Sequence, residues 1–371
     1  MRPGSVISIF ILILLLAGCT IEFKPEIEEE KELLVVSGLI TDQEVSNKIV
    51  LSRSMPIGKP LTAEALSGAL VSIRDEAGTV TFLTETSPGT YSTDSTIFRG
   101  RIGGSYALNI RIGDENYESD FVEMKPVPPI SSLYYEKIVI NAARDSSEMA
   151  EGCRIYLDSY DPTGECLFFR WGFVETWEYH IPFPSDIYRC WATERSERIL
   201  IRNTSVYNQA RISRYPVILI TNNTRKLNVK YSILVNQYSI DESEYYFWEK
   251  VQNVHENVGG LYDMTPMAIP GNIRCTTNPG ETVLGYFSVS AVSRKRLFVQ
   301  DSFLGLSYFY PGCVVDTIHG ILPEGGLNKD YWIVEDNGNE IPAWWVVTRY
   351  RECADCVTDN ERIRPDFWND L

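Results

Sequence analysis

Histidine is scarce in this sequence. Only His180, His255 and His319 are present, and they lie far apart along the chain. There is no Gly-x-Ser-x-Gly elbow, no His-Glu-x-x-His pair, no phosphate-cradling glycine loop and no dinucleotide fingerprint. Local signatures for serine hydrolysis, zinc peptidase chemistry and nucleotide use are therefore missing. A triad can assemble from distant residues, but no local feature points to one. With 50 Asp and Glu residues, no particular carboxylate pair stands out as glycosidase machinery. Basic residues number only 34 and the formal net charge is −16. Such a surface repels nucleic acid and anionic lipid headgroups. There is no internal repeat or donor strand to suggest a self-assembling fibre, and no low-complexity stretch. These absences lead us to expect a non-enzymatic protein without cofactor or metal.

The chain does carry an export signal. Arg2 supplies a basic start and Ser5–Leu16 an apolar core. That core is too short for a permanent span, which needs roughly 20 apolar residues, but it has the length of a signal-peptide h-region. It ends in Leu16-Ala17-Gly18-Cys19, the pattern of a lipoprotein processing site. We expect residues 1–18 to be removed and Cys19 to be acylated. Two or three acyl chains, at roughly 0.8 kcal/mol per buried CH₂, anchor a protein far more firmly than one. Cleavage removes Arg2 and no other charged residue, so the mature chain carries about −17 by the same count. Residues 19–32 then read as an acidic tether, with Glu22, Glu26, Glu28, Glu29, Glu30 and Glu32 against Lys24 and Lys31.

The rest reads as mainly β. Residues 33–125 suit an immunoglobulin-like or transthyretin-like β-sandwich. Its expected strands are Leu33–Leu39, Lys48–Ser52, Leu70–Arg74, Thr79–Glu85, Tyr106–Ile112 and Tyr117–Met124. Pro88-Gly89-Thr90-Tyr91 and Gly103-Gly104-Ser105-Tyr106 each mark a turn followed by an inward tyrosine. A proline-rich joint at 126–132 precedes a larger β-rich domain, 133–371. There the clearest strands are Arg154–Asp158, Leu167–Val174, Pro216–Thr221, Val229–Val235, Val283–Val292 and Arg296–Val299. One helix is expected at Asp241–Asn257, started by a Ser239/Glu242 capping box and ended by Gly259-Gly260. Phe247, Val251, Val254 and Val258 form its apolar stripe, as for a helix laid on a sheet.

Besides Cys19, seven cysteines remain as disulfide candidates: Cys153, Cys166, Cys190, Cys275, Cys313, Cys353 and Cys356. Export favours disulfides, and an odd number leaves at least one thiol unpaired within the chain. Cys353-Ala354-Asp355-Cys356 lacks the strand-to-helix context of a redox pair and is half of a zinc site, so structural disulfides are the expectation. For binding, the expected residues are Trp177, Tyr179, Tyr188, Trp191, Trp344 and Trp345, clustered aromatics flanked by polar groups. If exposed, they could stack on a glycan or form a protein interface. Pro182-Phe183-Pro184 among them implies a loop, where such residues gather.

Several segments, in order, resemble one family. They are Glu32-Leu33-Leu34-Val35-Val36-Ser37-Gly38-Leu39-Ile40-Thr41-Asp42, Pro126-Val127-Pro128-Pro129-Ile130 before Ser132-Leu133-Tyr134-Tyr135, and Val235-Asn236-Gln237-Tyr238-Ser239 leading to Phe247-Trp248. Pro270-Gly271-Asn272-Ile273, Leu284-Gly285-Tyr286-Phe287 and Arg364-Pro365-Asp366-Phe367-Trp368 follow. Together they resemble the Bacteroidota lipoproteins of domain of unknown function 4249, over essentially the whole mature chain. The resemblance implies an outer-membrane lipoprotein, with the acidic tether as an export signal to the cell surface. It also implies a neighbouring TonB-dependent transporter as partner, and it carries no catalytic residues. The expected function is thus a non-enzymatic accessory, ligand-binding or lid, of a nutrient-uptake system, with a small peptide or glycan as ligand. A surface hydrolase acting on peptide or glycan and a structural or adhesive surface protein are the alternatives.

Overall fold

The computed structural model describes residues 32–54, 64–140, 150–181, 189–207, 209–222, 224–227, 229–257, 269–300, 314–319, 331–336 and 344–368. The signal peptide, Cys19, most of the tether, Tyr188, Cys313, Val258 and Gly259-Gly260 lie outside them. The fold is mainly β, as expected, with one α-helix among the described residues.

Two hydrophobic cores organise the strands. The first lies between two sheets. In one sheet, Leu34–Thr41 pairs antiparallel with Lys48–Arg53, which is followed by Thr90–Ser92 and Thr84–Ser87. In the other, Glu115–Ser119, Ser105–Ile112, Leu70–Asp75 and Val80–Phe82 are neighbours. Alternation sets the inward faces: Leu34, Val36 and Ile40 are buried, as are Val71, Ile73, Leu108 and Ile110. The inward tyrosines are present too. Tyr91 donates to the Leu66 carbonyl at 3.0 Å, and the Tyr106 hydroxyl accepts from the Arg101 N–H at 2.9 Å.

Three expected strands are each divided. Thr79–Glu85 becomes Val80–Phe82 and Thr84–Ser87, which belong to opposite sheets, because the chain crosses the sandwich at buried Leu83. Tyr117–Met124 becomes Glu115–Ser119 and Val122–Glu123. Val283–Val292 breaks at buried Ala291: Leu284–Ser290 joins the first sandwich, and Val292–Gln300 the second.

That last division alters the expected organisation. Residues 33–125 do not close the first core alone. Leu284–Ser290 pairs parallel with Leu34–Thr41, and Ile273–Cys275 pairs with Glu115–Ser119. Val283, Phe287 and Val289 fill the same core. The proline-rich joint does carry the chain between cores, with Val127 packed on the first and Ile130 in the second.

The second core lies between a three-stranded sheet and a five-stranded one. The former contains Ile130–Ile140, Ala150–Asp161 and Ala210–Thr221. The latter runs Arg189–Arg195, Phe168–His180, Lys230–Ile240, Val292–Gln300, with Leu200–Asn203 on the far end of Phe168–His180. A buried polar chain ties them together. The Trp171 indole donates to Gln237 Oε1 at 2.9 Å, and Gln237 Nε2 donates to the Pro128 carbonyl at 2.7 Å and to Ser159 Oγ at 3.0 Å. A small sheet of Val315–His319, Trp344–Thr348 and Trp332–Asp336 stands apart in the pairing.

The helix, α1, spans Glu242–Asn257. Its cap is Asp241, not Ser239: Asp241 Oδ1 accepts from the Glu244 N–H and from the Ser243 hydroxyl, both at 2.7 Å. Ser239 is still in strand register opposite Phe169 and donates to the Lys125 carbonyl at 2.6 Å, so the helix cannot begin there.

Candidate functional site

The aromatic residues expected to form a binding face are mostly core. Trp177 and Tyr179 sit in the second core, and Trp191 is 9% exposed. The indole N–H groups of Trp177 and Trp191 are buried without hydrogen-bond partners. What covers them is distant in sequence. Cys356 forms a disulfide with Cys190, Tyr179 donates to Glu361 at 2.5 Å, and the Lys226 ammonium lies 4.7 Å from the Trp177 ring. Trp344 and Trp345 are half-buried in the small separate sheet, opposite His319 and Ile318. Of the residues expected to form an exposed aromatic face, Trp177, Tyr179 and Trp191 are thus core, while Tyr188 lies outside the described residues.

The cysteine expectation also needs correction. Cys153, Cys166 and Cys275 are free and buried, packed as small apolar side chains. Burial pushes the Cys153 thiol up to about 12, far from the thiolate that disulfide exchange requires. Cys353 is disulfide-bonded as well. Cys356 bonds to Cys190 rather than to its neighbour in the Cys-x-x-Cys, which makes that motif structural. Among the described residues no group of His, Cys, Asp and Glu is arranged to hold a metal ion.

Two buried carboxylates of the second sandwich, Glu175 and Glu178, are matched to cations. Glu178 accepts from Arg189 Nε at 2.9 Å and from the Trp368 indole at 3.0 Å, with His180 Nε2 at 2.8 Å. Burial works against its charge, but the hydrogen bonds from Arg189, His180 and Trp368 outweigh that and hold its pKa below the usual range. Glu175 meets Lys226 at 3.1 Å and accepts from the Tyr231 hydroxyl at 2.8 Å. These are ion-pair centres that fix the sheet and the C-terminal segment.

The surface that offers unused chemistry is a cleft of about 560 Å³ beside Ala210–Thr221, lined by Arg202, Tyr207, Gln209, Arg211, Ser213 and Arg214 among others. Its shape comes from a bulge. The register with Ala150–Asp161 shifts between Leu157 and Ser159. Arg214 there has φ of 51°, the one non-glycine residue with positive φ among those described. The Asp158 carboxylate holds this backbone, accepting the Arg214 N–H at 2.7 Å. Bulges re-aim side chains in this way, and backbone strain of this kind gathers at functional sites.

The three arginines are not equivalent. Arg214 is neutralised by a bidentate pair with Glu136 at 2.7 and 2.9 Å and lies 4.7 Å from the Tyr156 ring, which stacks on Tyr134. Arg211 stands 4.4 Å from the Tyr160 ring, and Arg202 donates to the Tyr207 hydroxyl at 3.1 Å. Neither Arg202 nor Arg211 has a carboxylate partner among the described residues, and both are exposed. Two unpaired guanidinium groups, an exposed Tyr207 ring and the amide of Gln209 can receive an anionic or hydroxylated group. A larger hollow of about 850 Å³ on the first sandwich is less suited to an anion, because Asp42 and Asp75 line it and its Arg99 is engaged by Glu44 at 2.8 Å.

The cleft has a sequence signal that the aromatic reading passes over. From Arg198 to Ile240 there is no Asp or Glu, while Arg198, Arg202, Arg211, Arg214, Arg225, Lys226 and Lys230 all fall there. In a chain of net charge −16 such a run is conspicuous.

The family model for Domain of unknown function (DUF4249) matches residues 20–296. The chain belongs to the DUF4249 family. No curated protein matches. The DUF4249 match takes in the first sandwich, helix α1, the cleft and all of the second sandwich's strands except the end of Val292–Gln300. The two glycine motifs that carry the resemblance prove architectural. A Cβ on Gly271 would lie 1.6 Å from the Gly285 carbonyl oxygen, and one on Gly285 1.9 Å from that of Val36. Asn272 fastens the crossing, donating to the Phe287 carbonyl at 2.9 Å and accepting its N–H at 3.0 Å. In this DUF4249 chain the motifs thus mark where the first sandwich is closed.

Proposed function

We propose that this chain is a lipid-anchored protein of the outer membrane, facing the cell exterior, and a non-enzymatic accessory of a TonB-dependent nutrient-uptake system. It binds ligand or acts as a lid, docking on the transporter through its C-terminal β region. The observation that carries a binding role is the cleft with unpaired Arg202 and Arg211 on an otherwise acidic body. A guanidinium pair beside a tyrosine ring recognises anionic or hydroxyl-rich groups without any bond being made or broken. The lipoprotein motif ending in Cys19 supports the anchor, and the acidic tether supports the outward orientation.

The test is a mild detergent pull-down of the tagged, lipidated protein from its native outer membrane, with mass spectrometry of what accompanies it. A TonB-dependent barrel in near-equal amount is expected. Recovery of the lipoprotein alone, repeated after cross-linking, would remove the accessory reading and make hydrolase screening the next step.

A further inference from the structure

A second cavity, of about 520 Å³, lies between α1 and the parallel pair Leu34–Thr41 and Leu284–Ser290. Its walls are apolar for the most part. Val35 and Leu39 come from the face of the first strand that points away from the core, Phe247 and Val251 from α1, and Leu284 from the partner strand. Arg170 is the one charged side chain among the lining residues. It is 19% exposed, and its guanidinium lies between the rings of Tyr238 and Trp248, at 4.8 and 5.1 Å.

The polar bonding of that arginine is incomplete. Glu244 Oε1 forms an ion pair with it at 3.6 Å from Nε, close enough for charge but beyond hydrogen-bond reach. Arg170 forms no hydrogen bond with any described residue, although a guanidinium carries five donors. Glu244 directs Oε1 instead to Trp248 at 3.0 Å and Ser288 at 2.7 Å, and its buried Oε2 has no partner. Buried groups of this kind are normally satisfied. A planar, aromatic-sandwiched guanidinium at the wall of an apolar cavity lacks one complement, a bidentate acceptor.

We propose that this cavity binds an amphipathic acid, with its carboxylate on the Arg170 guanidinium and its aliphatic tail along Val35, Leu39, Val251 and Leu284. Binding satisfies the donors that Glu244 leaves free and removes the tail from water. It does not depend on the arginine cleft or on any transporter.

The test uses the full mature chain with Cys19→Ser, so that no acyl chain competes, and calorimetry with decanoate, octanoate and decan-1-ol. Decanoate is expected to bind one to one. The two extra CH₂ groups should make it about tenfold tighter than octanoate, and the carboxylate about tenfold or more tighter than decan-1-ol. Removing Arg170 alone would strand a buried carboxylate, so the paired change R170Q/E244Q is the informative one. It should abolish the preference for acid over alcohol while the thermal transition stays cooperative. Ser37 is exposed and lines the cavity without entering the core, so Ser37→Phe should block all three ligands. Absence of decanoate binding, equal binding of decan-1-ol, or acid preference surviving R170Q/E244Q would each overturn the proposal.

Discussion

Gly285 and Gly68 share a left-handed backbone, with φ of 88° and 78°, but not the same surroundings. A Cβ on Gly68 meets nothing within 4 Å, whereas one on Gly285 falls 1.9 Å from the Val36 carbonyl oxygen. Gly68→Ala should therefore cost only the conformational term, about 1–2 kcal/mol. Gly285→Ala adds a backbone collision in a paired strand and should cost more than about 4 kcal/mol, the range of exceptional substitutions. Urea unfolding of the two variants checks this, and equal losses would show that the parallel pair can open to admit a methyl group. The cysteines give a second residue-scale expectation. Cys153, Cys166 and Cys275 should resist alkylation in the folded protein and label without reductant once it is unfolded. Cys190, Cys353 and Cys356 should label only after reduction. Peptide mapping distinguishes the two sets.

Among elements, legibility in the sequence followed how local the controlling interaction is. Leu34–Thr41 and Ser105–Ile112 could be read because alternation and turn glycines act within a few residues. α1 was legible for the same reason, but its cap was not: whether Ser239 caps or stays in the sheet depends on Phe169, far upstream. The aromatic cluster failed differently. The sequence shows that Trp177, Tyr179 and Trp191 lie close together on either side of a proline-containing loop, but their cover comes from the segment Arg351–Trp368 and from Arg225 and Lys226. Sequence near the hairpin holds no trace of it. The cleft was half legible, as an acid-free run, while the bulge that assembles it requires register with Ala150–Asp161.

The C-terminal segment is also where pH should act. Trp368 is buried and donates to Glu178, whose pKa in the folded protein lies below the ordinary 4.5. A carboxylate lowered by folding contributes stability that is fully present above its unfolded value and lost as pH falls through the folded one. The part of the segment's attachment that Glu178 supplies should therefore be fully present above about pH 4.5 and weaken in the acid range below it. Glu178→Gln should remove most of that dependence while lowering stability at neutral pH, because Arg189 loses its acceptor's charge. The rate of proteolytic cleavage within Arg351–Trp368, followed across pH with the Cys190–Cys356 disulfide intact, reads the effect. A pH profile of cleavage that is unchanged in Glu178→Gln would place the acid sensitivity elsewhere.

At the scale of the whole molecule, the two sandwiches are interlocked rather than strung in series. The chain leaves the first core at Val127, builds most of the second, returns with Ile273–Cys275 and Leu284–Ser290, and re-enters the second at Val292. The return is pinned at the crossing. Val292 N–H donates to Asp42 Oδ1 at 2.9 Å, Gln43 donates to the Val292 carbonyl at 3.2 Å, and Ser239 N–H reaches the Ala291 carbonyl at 3.3 Å. A fragment of residues 32–128 would lack Val283, Phe287 and Val289 from its core and would expose Leu34–Thr41 as a bare edge. It should show no cooperative thermal transition and should aggregate. The same fragment joined through a flexible linker to residues 269–291 should recover a cooperative transition, since both missing strands return. Calorimetry of the two decides the matter. Cooperative unfolding of 32–128 alone would mean that the returning strands decorate a self-sufficient sandwich. Its absence, repaired by 269–291, would mean that the first sandwich is a single folding unit built from two stretches of chain, completed only when the strands after the second core's insertion return to it.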